Sequence, residues 1–240
     1  MLSDNPAARL LAILEEGNRR KPEERCEKIW ADLLGTGNNK SLLMSRLGKV
    51  MSLPGEIIEV LEREFPNQGD SHRHWSNQVN KGFMEQNLHA KWESFRSCID
   101  QHTLNYLKLT ADLLQGKTNS TLLEPATIEE VRENINSVLS EVVESELSDD
   151  VRTYLVRALQ RILVAIDEYR ITGATPILEA MEVTLGHAFS DPEYRTALLE
   201  TEMGQTVVNV LSAVASSITI AVGLPQLPET FKFLLGAPPS

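Results

Sequence analysis

The stretch TIEEVRENINSVLSEVVESELSDDVRTYLVRALQRILVAIDEYRITG, residues 127–173, decides the fold class. Its apolar residues Ile128, Val131, Ile135, Val138 and Val142 recur at steps of three and four, the spacing of one helix face. Thr127 and Glu130 form a capping-box pattern at its start. Ser148-Asp149-Asp150 then predicts the start of a second helix, with a matching stripe of Val151, Leu155, Ala158, Ile162, Ile166 and Tyr169. Two such helices joined by a short turn predict an antiparallel hairpin, which Gly173 closes.

Outward from this stretch the same periodicity continues, and no period-2 alternation is long enough for a strand. The expected fold is therefore all-α, a multi-helix bundle of about eight or nine helices with a long helical hairpin in the second half. Asn5-Pro6 opens a helix to about Glu16, and Lys21-Pro22 a second to Gly35 that carries Ile29, Trp30, Leu33 and Leu34 inward. A third starts at Asn39 or Ser41 and reaches about Met51. Leu53-Pro54-Gly55 is expected to break the chain before a helix over Glu56–Phe65. After the polar loop Pro66–Ser71, one long helical stretch is expected to reach Gln115, burying Phe95, Ile99, His102, Tyr106 and Leu109 as one stripe.

Gly116–Thr127 reads as the boundary between an N-terminal helical lobe, 1–118, and a C-terminal helical lobe, 119–240, whose apolar final helix spans 203–222. Before that final segment, Thr175-Pro176 opens a helix to about Ala188, and Ser190 with Pro192 and Glu193 starts the last long one.

The chain has 240 residues, a formal net charge of -11 and two cysteines. This length can bury a sufficient core, and two cysteines form no disulfide framework, so a cytoplasmic setting is expected. Residues 1–18 contain Arg9, Glu15 and Glu16, which interrupt any apolar signal region. Residues 1–123 hold 16 acidic and 16 basic side chains, whereas 124–202 hold 17 acidic and 6 basic. Such an acidic middle repels phosphate backbones, so no nucleic-acid partner is expected, and its charge reads as solvated helix faces.

Candidate sites for chemistry fail on spacing. Gly35-Thr36-Gly37-Asn38-Asn39-Lys40-Ser41 resembles a phosphate loop only superficially. No strand precedes it, and Asn39 stands where glycine is needed before Lys40. Cys98 and His102, four apart, are the weak metal candidates on an expected common helix face, and Glu85 with His89 shares that spacing. No third and fourth ligand is identifiable, so neither a metal nor another cofactor is expected, and His102 reads as a core histidine. Cys26 has no histidine near it in sequence. The carboxylate pairs Glu129-Glu130, Asp149-Asp150 and Asp167-Glu168 read as helix starts or exposed faces. A helix-turn-helix over Leu42–Leu61 would present Glu56, Glu59, Glu62 and Glu64 where DNA reading needs cations. No catalytic residue is assigned, and the chain is expected not to be an enzyme.

The C-terminal segment stands apart. Met203–Pro228 contains no charged residue. Val207, Leu211, Val214, Ile218 and Val222 form one helical stripe, and Gln205, Asn209, Ser212, Ser216 and Thr219 a polar one. Ala213, Ser217 and Ala221 repeat every four residues, a ridge that lets a second helix approach closely. These apolar and small residues are the expected membrane or oligomer contacts, with residues 203–240 as the membrane-facing region. Packing of the segment as the last helix of the bundle core is the competing expectation.

Residues 147–188, above all Tyr154-Leu155, Leu159, Ile162 and Ala165-Ile166-Asp167-Glu168-Tyr169-Arg170-Ile171-Thr172-Gly173, resemble a segment of uncharacterised helical bacterial proteins of mobile or phage-defence loci. That resemblance covers the C-terminal half and carries no catalytic motif. It implies a non-enzymatic interaction or regulatory protein of a bacterial defence or prophage-borne system, with a protein partner or self-association. The alternative is a membrane-disrupting effector that uses the uncharged amphipathic helix 205–222.

Overall fold

The computed structural model describes residues 5–118 and 123–222. Among the described residues all regular elements are helical: twelve α-helices and two short 3₁₀ segments, with one isolated bridge between Arg25 and Lys91. The chain divides into two compact units, Asn5–Thr118 and the described residues of Asn119–Ser240.

The first unit contains α1 (Pro6–Asn18), α2 (Cys26–Leu33), α3 (Lys40–Glu64), α4 (Arg73–Glu85), the single turn α5 (Glu93–Arg96) and α6 (Gln101–Thr118). Asn5 starts α1 in two ways. Its Oδ1 accepts from the Ala8 N–H at 3.0 Å, and its Nδ2 donates to the Ala111 carbonyl on α6 at 2.8 Å. The core centres on the aromatic rings of Trp30, Phe83, Trp92 and Phe95, whose centroids lie 4.9–6.1 Å apart. Trp30 Nε1 donates to Gln86 Oε1 at 2.7 Å, so this buried indole keeps a polar partner.

Two expectations for this unit are overturned. Pro54 does not break the chain: α3 passes through it, although the missing N–H removes one helical hydrogen bond. Val50, Leu53, Pro54, Ile57 and Leu61 are all buried on one side of the continuous helix, and that burial offsets the proline penalty of about 3 kcal/mol. The stretch up to Gln115 is not one helix. After Gln86 the backbone leaves helical geometry and bonds instead to residues 22–27. Cys26 N–H donates to Ala90 O at 2.9 Å, Glu27 N–H to Leu88 O at 2.9 Å, and Trp92 N–H to Glu24 O at 2.7 Å. These long-range bonds explain the break, and they raise the count of helices above eight or nine.

The second unit contains α7 (Pro125–Glu144), α8 (Asp149–Asp167), the single turn α9 (Tyr169–Thr172), α10 (Thr175–Gly186), α11 (Pro192–Glu200) and α12 (Glu202–Val222). Residues 145–148 join α7 to α8, and the two helices pack together. Arg132 Nε near the start of α7 lies 3.0 Å from Asp167 Oδ1 at the end of α8. At the other end Arg152 Nη1 donates to the Ser145 carbonyl at 2.8 Å. α7 opens on Pro125 rather than at a Thr127 cap, because proline suits the first turn, where its missing N–H has no helical partner. The expected last long helix from Ser190 is two helices: Thr201 is extended, and α12 starts beyond it.

Candidate functional site

α12 is held by its apolar stripe. Val207, Leu211 and Ile218 are 0% exposed and Val214 is 1% exposed, within one core shared with α7, α8, α10 and α11. The ridge of small residues faces elsewhere: Ala213 and Ser217 are exposed, while Val222 and Ala221 are positions whose side chains lie outside the described ones. The close approach comes instead at Gly204. A Cβ there would lie 2.0 Å from the Ala197 carbonyl oxygen and 2.5 Å from Leu198 Cα. The polar stripe spends much of its hydrogen bonding on its own helix. Ser216 Oγ donates to Ser212 O at 2.8 Å, and buried Thr219 Oγ1 to Ser216 O at 3.2 Å. Among the described residues no helix is long and apolar enough to cross a membrane.

The metal candidates are separated by the non-helical junction between α5 and α6. Cys98 lies before α6 and is buried, donating to Glu85 Oε2 at 3.8 Å, whereas His102 is exposed on α6. His102 is therefore not a core histidine; its ring centroid lies 6.4 Å from that of His74. The expected stripe fails with it, since Tyr106 is 46% and Leu109 63% exposed. The buried face of α6 is Thr103, Leu104, Leu107, Thr110, Ala111 and Leu114. Glu85 and His89 do not share a helix face either, because α4 ends at Glu85. Among the described residues no group of three or more His, Cys, Asp or Glu side chains is placed to hold a metal ion.

The loop that resembles a phosphate cradle is a helix–helix connector. Gly35 and Gly37 take positive φ, and Asn39 caps α3 by accepting from the Leu42 N–H at 3.0 Å. Buried Arg46 reaches back under it, its Nη1 donating to Leu34 O at 2.7 Å and Gly35 O at 3.2 Å. In the groove of about 710 Å³ beside this loop, Lys40 lies 3.5 Å and Arg25 3.2 Å from Glu27, so these cations already face a carboxylate. Burial pushes the Cys26 thiol up to about 11, and its Sγ donates to Gln86 Oε1 at 3.7 Å, so it stays protonated at neutral pH. Glu129 and Asp167 both pair with Arg132, and Asp149 pairs with Arg152. Glu168 departs from the expected exposure. It is 6% exposed at the junction of α8 and α9, where the chain turns inward to bury Tyr169.

What remains on the surface is apolar area outside these stripes. On the α7–α8 face a shallow groove of about 400 Å³ is lined by Val143, Arg152, Thr153, Val156, Arg157 and Gln160. Val143 is 54% exposed, and Val164, one turn beyond Gln160, is 55% exposed. The sequence signal for this groove is the doubling of apolar residues in Val142-Val143 and Leu155-Val156: the first member of each is core, while Val143 is exposed and Val156 is half-buried at the core's edge. Comparison with protein-family models, with characterised proteins and with solved structures returns no match.

Proposed function

We propose that the chain is a non-enzymatic, cytoplasmic helical protein that works through protein contacts, as an interaction or regulatory component of a bacterial defence or prophage-borne system. The groove on the α7–α8 hairpin carries this reading. Val143 and Val156 give it an apolar floor, and Arg157 gives it a cationic rim beside Arg152, which is itself paired with Asp149. Three of the six basic residues between 124 and 202, Arg152, Arg157 and Arg161, lie on α8. An apolar floor with a basic rim suits an amphipathic helix bearing acidic flanks, laid into the groove by a protein partner. The bacterial context rests on the resemblance of residues 147–188.

A membrane-disrupting role for 205–222 would require α12 to withdraw Val207, Leu211, Val214 and Ile218 from the core. Exposing side chains of this kind to water on release costs about 1.5–3 kcal/mol each, a cost that the contact reading does not incur.

Site-specific photo-crosslinking in bacterial cells tests it, with the probe at position 143 and a control at Glu130, exposed elsewhere on α7. Discrete protein adducts at 143 that are absent at 130 and lost in Arg157→Glu are expected. No adduct at 143, or the same ladder at both positions, would contradict it.

A further inference from the structure

We propose that the outer face of α3 pairs with the same helix of a second copy of the chain, antiparallel and about a two-fold axis. The proposal deepens the contact reading above and rests on it. Because α3 is continuous through Pro54, Met44, Gly48, Met51, Gly55 and Ile58 follow one another at steps of four and three along a single face. Met44 is 56% and Met51 37% exposed, and both glycines are exposed. A Cβ at Gly48 or Gly55 would meet no heavy atom within 4 Å, and neither has a positive φ. Among the described residues nothing therefore requires glycine at either place, although each weakens the helix relative to alanine.

Large and absent side chains alternate with a spacing that complements itself. Met44 and Gly48 are four apart, as are Met51 and Gly55. In an antiparallel pair, the register that sets Met44 level with Gly55 of the second copy also sets Gly48 level with its Met51. Each methionine then enters a notch left by a glycine, the contact an isologous interface requires.

Charge selects the same arrangement. Outside the core, the first half of α3 carries Lys40 and Lys49 and no acid, Arg46 being turned inward to the Leu34 and Gly35 carbonyls, whereas the second half carries Glu56, Glu59, Glu62 and Glu64 beside Arg63. Within one helix this order opposes the macrodipole, which favours acids at the N-terminus and bases at the C-terminus. Antiparallel pairing sets Lys40, which lies 3.5 Å from Glu27 in its own copy, level with Glu59 of the other. Parallel pairing would set like against like.

Sedimentation velocity of the full chain over a wide range of concentration tests the pairing. A reversible dimer is expected, with Met51→Glu raising its dissociation constant about tenfold or more. The double variant Gly48→Ala/Gly55→Ala is expected to melt at a higher temperature and yet to dimerise more weakly. A merely structural role for the glycines would not move the two readouts in opposite directions. For the register, Met44→Cys and Gly55→Cys proteins mixed and oxidised should cross-link to each other more than either does to itself; Cys26 and Cys98 are buried. A monomer at every concentration, or a dimer indifferent to Met51→Glu, would overturn the pairing. If adducts at position 143 persist in such a monomer, only the pairing fails. If they are absent as well, the contact reading fails with it.

Discussion

Trp92 Nε1 donates to the Gly17 carbonyl at 2.9 Å while the same indole covers the Gly17 Cα, leaving 2.9 Å between Cζ2 and the place a Cβ would occupy. One tryptophan thereby anchors the end of α1 by a hydrogen bond and by contact. Gly17→Ala is expected to push this ring into Trp30 and Phe95 and to destabilise the first unit by about 1–3 kcal/mol. Urea unfolding followed by tryptophan fluorescence measures this, since all three tryptophans lie in that unit.

Gly204 is a harsher case. The obstacle to its Cβ is the backbone of α11, which no rotamer change can move. Gly204→Ala is expected to separate α11 from α12 and cost roughly 3 kcal/mol or more. Gly116→Ala, at an exposed helical glycine with open space around it, serves as the control and is expected to be neutral or stabilising in thermal unfolding.

The all-helical class was legible because apolar spacing alone carries it. Val131, Ile135, Val138 and Val142, and the stripe from Val151 to Tyr169, are buried as the periodicity indicates. Three features were not legible. Local propensity stops a helix at Pro54, but burial on both sides of the proline decides otherwise. The departure from helix after Gln86 depends on backbone partners at residues 22–27, some sixty positions away in sequence. Periodicity from Phe95 to Leu109 runs across the non-helical junction at residues 97–100 between α5 and α6, so Phe95 is buried while Leu109 lies on the outer face. For the candidate site, spacing identified the α12 stripe but not what covers it. The α7–α8 groove follows from three-dimensional packing: Val142 and Leu155 fill the core, which leaves Val143 exposed and Val156 half-buried at its edge.

Asp100 provides a test by pH. It accepts the Thr103 backbone N–H at 2.6 Å ahead of α6, and this bond, with a smaller contribution from His74, holds its carboxyl below the usual range. A depressed carboxyl stabilises the fold above the unfolded-state value, near 3.8, and loses that contribution as pH falls through the folded value. Asp100→Ala is expected to cost about 1 kcal/mol at neutral pH, whereas Asp100→Asn keeps a neutral acceptor and loses less. In urea titrations at neutral pH and below pH 4, the gap between wild type and Asp100→Asn should narrow in acid.

Cys26 moves in the opposite sense. Burial raises its thiol from 9.0 to about 11, so above pH 9 the unfolded chain ionises first and stability declines until pH approaches the folded value. Wild type is expected to lose stability between pH 9 and pH 11 more steeply than Cys26→Ala. Iodoacetamide should label Cys26 in the native chain far more slowly than in the unfolded one, as peptide mass spectrometry would show.

Hydrogen exchange across α12, with and without liposomes, tests the central claim that its apolar stripe belongs to the core and that the chain works through protein contacts. Amides of 207–218 are expected to exchange as slowly as the buried amides of α8, and liposomes are expected to leave them unchanged. Rapid exchange of 207–218 in a chain that otherwise stays protected, or a change confined to α12 when liposomes are added, would contradict it.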